Sequence, residues 1–206
     1  MKFGLRVVQS ALMGLLILAA VLVTLIDTPA WAAKNGGSAT QSLTPAEAAD
    51  LTYMREEEKL ARDVYLTMLG QYNAVIFSNI SNSEQQHMDT MLKMLVKYSL
   101  PDPALPGIGV FTNQYLQTKY NELVAAGLTS YIDALKVGAT IEEIDMVDIQ
   151  KAIDGTSRVD LRTAYQNLLE GSKNHLRAYV TELAAQGITY APQFLSQDLY
   201  DAIIGI

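Results

Sequence analysis

Cysteine is absent from this chain of 206 residues, and histidine occurs only twice, at His87 and His175. The lack of cysteine excludes disulfides, thiolate metal sites and thiol nucleophiles. Any bound metal ion must therefore be held by oxygen and imidazole ligands. Basic residues are also few, at 15 against 22 acidic residues, and the net charge of −7 argues against nucleic acid as a partner. The chain has no glycine-rich phosphate loop to support a transferase function.

The first 32 residues have the composition of a secretory signal peptide. Two positive charges precede an uncharged, mostly apolar run over residues 7–26, and an A-x-A cleavage signal ends at Ala32. We expect cleavage near Ala32 and export to the periplasm or the medium. The alternative is a membrane anchor over residues 7–26, because about 20 apolar residues can span a bilayer. Contact with a membrane is expected only in that second case.

The residues that follow are a short leader and then a helical domain. Residues 33–43 are small, polar and glycine-rich, which is typical of a flexible leader. A threonine N-cap at Thr44 is followed by proline and, three residues on, by Glu47, as in a capping box. We expect a domain over residues 44–187, and an apolar tail over 188–206 that packs on it as a short helix or serves as a docking segment for a partner.

The spacing of apolar residues after the leader indicates an all-α fold. Residues recur at intervals of three and four, and the alternation typical of strands is nearly absent. Gly70 is predicted to end the first helix, and Gly138 raises the alternative of a break in the third main helix. A long loop with three prolines, Pro101 to Thr112, leads into a connecting helix, as in the crossover of a bundle. The predicted helices cover residues 45–69, 79–98, 113–126, 130–153 and 158–186.

Ionisable or polar groups lie near the middle of the apolar stripe of all four main helices. In chain order they are Glu58, Glu84, His87, Glu142, Asp145, Ser172 and His175. A buried carboxylate without a partner costs several kcal/mol, so three or four in one core need compensation. Two divalent metal ions would compensate them. Arg62 and Arg177 would do so as well, but both fall off the stripes.

Each of these residues has a plain structural interpretation when it is considered alone. A glutamate on a helix stripe usually reaches solvent, a lone histidine is more often a hydrogen-bonded core residue, and E-x-x-H often occurs by chance. Glu56 and Glu57 are predicted to form a solvated charge run. Tyr65 is predicted to be a core tyrosine with its hydroxyl satisfied, and the alternative is that it hydrogen-bonds a metal ligand or carries a radical. The joint pattern is harder to explain structurally than any single residue. Its order is carboxylate, E-x-x-H, long connection, carboxylate and histidine, which matches the dimetal sites of helix bundles.

The same segments resemble a known group of proteins. Residues 58–65 are similar to the first ligand helix of rubrerythrin-like proteins, in which alanine, arginine and tyrosine follow the glutamate at +3, +4 and +7. Glu84-Gln85-Gln86-His87 resembles their second ligand motif. Over about residues 45–185 the chain also resembles a bacterial ferritin-like family defined as a domain of unknown function. Further strings that carry this resemblance are Ile76–Ile80, Gly109–Asn113, Ile141–Glu143 and Asn174–Arg177.

The resemblance implies a ferritin-like four-helix bundle with an extra helix in its crossover. It also implies one or two metal ions inside the bundle, with iron or manganese expected and zinc as an alternative. The expected first site is Glu58, Glu84 and His87. The expected second site is Glu142, Asp145 and His175, with Glu84 bridging the two.

One position departs from the rubrerythrin-like pattern. Ser172 occupies the place, three residues before His175, where that pattern has a glutamate. Asp145, three residues after Glu142, could supply the missing oxygen, and Glu143 is the alternative. If neither does, the second position is weak and the site holds one ion.

Three functions stay open at this point. With iron in both positions, the expected reaction is oxidation of Fe(II) coupled to reduction of O₂ or peroxide. The second function is a metal-sequestering module without turnover, and the third is a structural or interaction protein with a vestigial site. The expected partners are metal ions, an electron-donor protein and a second copy of the chain in a homodimer. No residue is assigned a catalytic role.

Overall fold

The computed structural model describes residues 42–205, and this part of the chain contains six α-helices and no β-strand. The prediction of an all-α fold is confirmed. None of the described helices is long and apolar enough to cross a membrane. The predicted signal peptide and residues 33–41 of the predicted leader lie outside the described residues. The helices are α1 (Pro45–Tyr72), α2 (Val75–Lys97), α3 (Gln114–Gly127), α4 (Tyr131–Gly155), α5 (Val159–Ala185) and α6 (Gln197–Ile204).

Helix α1 begins with the predicted capping box. The Thr44 hydroxyl accepts a hydrogen bond from the Glu47 N–H at 3.2 Å, and the Glu47 carboxylate accepts one from the Thr44 N–H at 2.8 Å. Glu47 also accepts hydrogen bonds from Thr156 Oγ1 at 2.6 Å and from Arg158 Nε at 3.3 Å. The residue that caps α1 therefore also ties its start to the turn between α4 and α5.

The end of α1 differs from the prediction, because Gly70 does not terminate the helix. The chain continues to Tyr72 and ends at Asn73, which has φ 49° and ψ 33° and donates its N–H to the Leu69 carbonyl. Asparagine tolerates this left-handed conformation better than most residues. Within residues 42–205, no group outside the adjoining part of α1 lies within 4 Å of where a Cβ would be on Gly70.

Four long helices pack side by side, with α1 against α2 and α4, and α5 against α4 and α2. Their facing sides bury two apolar clusters. One contains Met54, Leu95 and Ile149, and the other contains Tyr65, Phe77 and Tyr179. On each of the four helices, the residues before the ionisable positions belong mainly to one apolar cluster, and those after them belong mainly to the other. These residues therefore form a polar layer between two apolar ones.

Helix α3 follows the crossover loop and packs on α1 and α4. Helix α4 runs without interruption through Gly138, so the break considered there is absent. A Cβ on Gly138 would lie 2.4 Å from the ring of Tyr179. The glycine therefore allows the tyrosine of α5 to approach the backbone of α4 closely.

The tail contains α6, in the segment where a short helix is predicted, and this helix packs on α5. Tyr200 and Ile203 supply its buried side chains. A buried carboxylate, Glu143, anchors the chain before it. Glu143 accepts hydrogen bonds from the Tyr190 hydroxyl at 2.6 Å and from three consecutive N–H groups, those of Gln193, Phe194 and Leu195.

Candidate metal centre

Five ionisable side chains from four helices meet in the polar layer, and we call them the central cluster. They form two groups of three, and within each group one potential ligand atom of every residue lies within 4.8 Å of the others. All five residues are buried, and Glu84 belongs to both groups. The first group is Glu58, Glu84 and His87, and the second is Glu84, Glu142 and His175.

Glu84 lies between the two histidines. Its Oε2 is 2.8 Å from His87 Nδ1, and its Oε1 is 2.8 Å from His175 Nδ1. Each histidine also has a second carboxylate nearby, because Glu58 Oε2 is 3.1 Å from His87 Nδ1 and Glu142 Oε2 is 3.3 Å from His175 Nδ1. The two imidazole rings stack with their centroids 5.5 Å apart. The arrangement is therefore nearly symmetric about Glu84.

The contacts in the central cluster change the protonation of the histidines. Burial lowers the pKa of His87, but Glu58 and Glu84 outweigh it and raise the pKa to about 12. Burial also lowers the pKa of His175, but Glu142 and Glu84 outweigh it and raise that pKa to about 10. Without a metal ion, both imidazoles are therefore protonated near neutral pH. Metal ligands must be deprotonated, so a bound cation would replace these protons.

Neighbouring side chains hold the cluster in place. The Tyr65 hydroxyl donates a hydrogen bond of 2.6 Å to Glu142 Oε1, so this residue is a core tyrosine whose hydroxyl is satisfied, as predicted. Ser83 Oγ lies 2.9 Å from His175 Nε2. A Cβ on Gly171 would lie 2.4 Å from His87 Nε2. The glycine therefore makes room on α5 for the imidazole from α2.

Asp145 lies beside the two groups of three and is in neither of them. Its Oδ2 accepts a hydrogen bond from Ser172, and its buried Oδ1 has no hydrogen-bond partner among the described residues. Burial, together with the nearby Glu58 and Glu142, raises the pKa of Asp145 well above its usual range. Ser172, which replaces the glutamate of the rubrerythrin-like pattern, thus contacts the carboxylate considered as its substitute. Glu143, the alternative to Asp145, points to the tail instead.

Glu56 and Glu57 are both buried, so the prediction of a solvated charge run is wrong. Glu56 accepts hydrogen bonds from the N–H groups of Thr112 and Asn113 at 2.6 and 3.1 Å. The Tyr53 hydroxyl donates a hydrogen bond of 3.4 Å to Glu57 Oε1. The other oxygen, Glu57 Oε2, has no hydrogen-bond partner within residues 42–205. Its spacing from Met54 and Ala61, three residues before and four after it, could have placed Glu57 on the inner face.

A second set of buried charges on α1 faces the crossover loop, and we call Arg55, Glu56, Lys59 and Asp63 the crossover anchor. Arg55 makes two hydrogen bonds to Asp102, of 3.0 and 2.9 Å. Lys59 pairs with Asp63 and donates to the Gly107 carbonyl at 2.8 Å. Asp63 also accepts from the Gly109 N–H at 2.9 Å. These charges therefore fix the loop that leads to α3.

Comparisons with known proteins show which proteins this chain is similar to. The profile of the family described as "Uncharacterized protein domain (DUF2202)" matches residues 47–206. "Uncharacterized protein MJ0754" of Methanocaldococcus jannaschii is 47% identical over 165 residues, which cover 80% of this chain and 89% of that protein. A crystal structure of the hypothetical protein MJ0754 matches with a TM-score of 0.79 and 47% identity, over 81% of this chain and 95% of the other.

Proposed function

We propose that this chain, which belongs to the DUF2202 family, is a ferritin-like protein that binds two transition-metal ions in the central cluster. The position of Glu84 is the observation that carries the proposal. Its two carboxylate oxygens face different histidines, so one residue takes part in two groups of ligand candidates at once. A shared carboxylate between two such groups is typical of dimetal sites in helix bundles.

The donor set of the central cluster fits a pair of divalent cations. Three carboxylates and two imidazoles provide the mixed oxygen and nitrogen donors that suit iron, manganese or zinc. Among the ion pairs of residues 42–205, none joins these carboxylates to a lysine or arginine. Glu58 Oε1 is also buried without a hydrogen-bond partner in that range. Metal ions would offset the cost of burying this negative charge.

The helix packing supports a ferritin-like four-helix bundle. The four main helices of such a bundle would be α1, α2, α4 and α5, with α3 as the extra helix of the crossover. Glutamates from α1 and α4, Glu-x-x-His from α2 and histidine from α5 then follow the ligand plan of that fold, except at Ser172.

The residues of the central cluster would bind two metal ions between them. Glu58 and His87 would hold the first ion, Glu142 and His175 the second, and Glu84 would reach both. Tyr65 orients Glu142 through its hydrogen bond, as outer residues of metal sites commonly do. A redox-active metal such as iron would supply electron transfer from Fe(II) to O₂ or peroxide.

Elemental analysis of the purified full-length chain tests the proposal. After incubation with Fe(II), Mn(II) or Zn(II) and removal of excess metal, we expect about two ions per chain, as in other dimetal bundles. Glu84→Gln should lose them, because it alters the residue shared by both groups. Asp89→Asn is the matched control on α2, since Asp89 is exposed and contacts Gln85. Absence of metal from the wild-type chain under all three conditions would overturn the proposal.

Sequestration of metal without turnover is the second candidate function. Ser172 favours it, because a serine that hydrogen-bonds Asp145 takes the place of an expected bridging carboxylate. Peroxide consumption by the iron-loaded chain separates the two candidates. Turnover beyond the Fe(II) supplied, with a reductant present, would support the enzyme, and its absence would support sequestration.

We also propose that the chain is exported and cleaved near Ala32. The proposal rests on the charged, apolar and small-residue segments at the start of the sequence. Intact mass spectrometry of the protein from its native host tests it. A mature chain that begins at Ala33 is expected, and a retained segment over residues 7–26 in the membrane fraction would support the anchor instead.

A further inference from the structure

Three carboxylates of α4 follow one another at intervals of three residues, from Glu142 through Asp145 to Asp148. Each interval advances about 4.5 Å along a helix and joins neighbouring positions on its surface. The exposed fraction rises along the series, from 1% at Glu142 and 5% at Asp145 to the half-buried Asp148. The series therefore leads from the central cluster toward solvent.

Glu57 of α1 joins this series at the level of Asp145. Both side chains line a cavity of about 40 Å³ between α1, α3 and α4, which is large enough for a water molecule or a cation. Each is 5% exposed, and each has one carboxylate oxygen without a hydrogen-bond partner in the described part of the chain. Lys119, on the α3 side of the cavity, pairs with Glu122 at 2.8 Å.

The outer end of the series opens on a surface groove. The groove has a volume of about 320 Å³, and Asp50, Tyr53 and Asp148 line it, with Lys151 as the basic side chain of the lining. Tyr53 also lines the inner cavity and places its hydroxyl 3.4 Å from Glu57 Oε1. Carboxylates therefore continue from the groove to the cavity, with Tyr53 between them.

We propose that Asp148, Glu57 and Asp145 form a loading path along which a divalent cation passes from the groove to the central cluster. The loading path rests on the proposed metal-binding function of that cluster. Carboxylates spaced about one helical turn apart let an ion exchange one oxygen ligand for the next. A cleft lined by negative charge also raises the local concentration of cations and their rate of association.

The geometry favours passage over a resting site. Within residues 42–205, these three carboxylates are not among the groups whose ligand atoms approach within 4.8 Å of one another. Neither histidine belongs to the path, so it offers only the exchangeable oxygen ligands that hard cations prefer. The central cluster, which adds two imidazoles, is the tighter site for a transition metal.

Stopped-flow mixing of the metal-free full-length chain with Co(II) tests the path, because the visible absorption of bound Co(II) reports occupancy of the cluster. Glu57→Gln should slow loading about tenfold, and Asp148→Asn about threefold, in line with electrostatic effects on association. Unloading by a chelator should slow by similar factors, so that the final Co(II) content stays at the wild-type value. Asp154→Asn is the matched control, since Asp154 is an exposed carboxylate of the same helix that contacts Gln150.

The outcomes separate the path from the metal centre. A wild-type loading rate in Glu57→Gln at full final occupancy would contradict the path and leave the centre in place. Complete loss of Co(II) from a folded Glu57→Gln chain would also contradict it, because Glu57 would then be a ligand. Absence of Co(II) binding to the wild-type chain would overturn both. Circular dichroism checks the fold, and if Glu57→Gln does not fold, the half-buried Asp148→Asn alone decides between an unchanged and a slowed rate.

Discussion

Helix α1 buries charged side chains on two faces, and the two faces balance their charge differently. In the crossover anchor, Lys59 pairs with Asp63, and Glu56 accepts two backbone N–H groups. In the central cluster, three carboxylates share two histidines, and Glu58 keeps one buried oxygen without a partner in the described range. Burial of charge is thus common to both faces, and the balance of partners distinguishes the structural face from the candidate metal centre.

Adjacent residues on α4 show the same contrast. Glu143 accepts hydrogen bonds from one hydroxyl and three backbone N–H groups, which satisfy its carboxylate. Glu142, one position earlier, has the Tyr65 hydroxyl and a histidine as partners. The first glutamate anchors the tail, and the second is one of the proposed metal ligands.

Lys59→Met is expected to have the largest effect on stability, through the crossover anchor. It removes the lysine partner of the buried Asp63 and the hydrogen bond to the Gly107 carbonyl, while Arg62 stays paired with Asp63 at 2.6 Å. We therefore expect a cost of about 3 kcal/mol, at the lower end of the range for a broken buried ion pair. The unfolding free energy, measured in urea with and without metal, should fall by a similar amount in both conditions. Lys97→Met, which breaks the solvent-exposed pair with Asp160, is the control and should cost much less. Equal losses in the two variants would argue against a stabilising role of the anchor.

Neutralising one carboxylate of the crossover anchor and one beside the central cluster should have opposite effects in the metal-free chain. Glu56→Gln replaces an acceptor of two backbone N–H groups and should lower the unfolding free energy by about 1–3 kcal/mol. Asp145→Asn removes a buried carboxyl group whose ionisation the fold disfavours, and it should raise the unfolding free energy by about 1–3 kcal/mol near pH 8. Urea denaturation of both variants beside the wild type measures the difference.

The gain from Asp145→Asn depends on pH in a defined direction. Burial, Glu58 and Glu142 raise the folded-state pKa of Asp145 well above its usual 3.8. At a pH between 3.8 and the raised pKa, folding therefore takes up a proton. The contribution of Asp145 to stability is present below pH 3.8 and is lost as the pH rises through the raised pKa. The advantage of asparagine should therefore be small near pH 4 and large near about pH 8. An advantage that grows toward acid would contradict this explanation.

Gly171→Ala should weaken metal binding with a smaller effect on the fold. Its Cβ would lie 2.4 Å from His87 Nε2, so the imidazole must move. Changes to residues that hold a metal ligand in position typically weaken metal affinity by about 10–100-fold. Titration with Mn(II) measures the change. Gly70→Ala is the control, because among the described residues no group outside the adjoining part of α1 lies within 4 Å of its Cβ position. Unchanged affinity in Gly171→Ala would argue against His87 as a ligand.

The smallest predicted effect is at the start of α1. Burial opposes ionisation of Glu47, but hydrogen bonds from Thr156, Thr44 and Arg158 outweigh it and lower the pKa to about 2. The resulting stability is present above the ordinary pKa of 4.5 and is lost as the pH falls through about 2. Thr156→Ala should cost about 0.5–1.5 kcal/mol near neutral pH and less in acid. Denaturation over a pH series checks whether the loss shrinks in this way.

The sequence was enough to predict the helices and most of the cluster, because both follow from periodicity within single helices. Stripe spacing placed Glu58, Glu84, His87, Glu142 and His175 on inner faces, and the structure brings these five together. The capping box at Thr44 is equally local, since its partners are three residues apart.

The features that sequence analysis missed depend on contacts between distant segments. Glu56 is buried because the crossover loop, more than 50 residues later, places two N–H groups on it. Glu57 is buried against α3 and α4, and its spacing from Met54 and Ala61 was the one sequence signal of this burial. Gly138 suggests a break when it is considered alone, but it accommodates Tyr179 of another helix. The partners of Glu143 likewise lie in the tail, and Ser172, the partner of Asp145, lies on α5.

Anomalous diffraction from crystals of the chain grown with Mn(II) tests the central claim most directly. The account predicts two manganese peaks on either side of Glu84, one beside Glu58 and His87 and the other beside Glu142 and His175. Strong peaks elsewhere on the molecule, with none within the central cluster at saturating Mn(II), would contradict it.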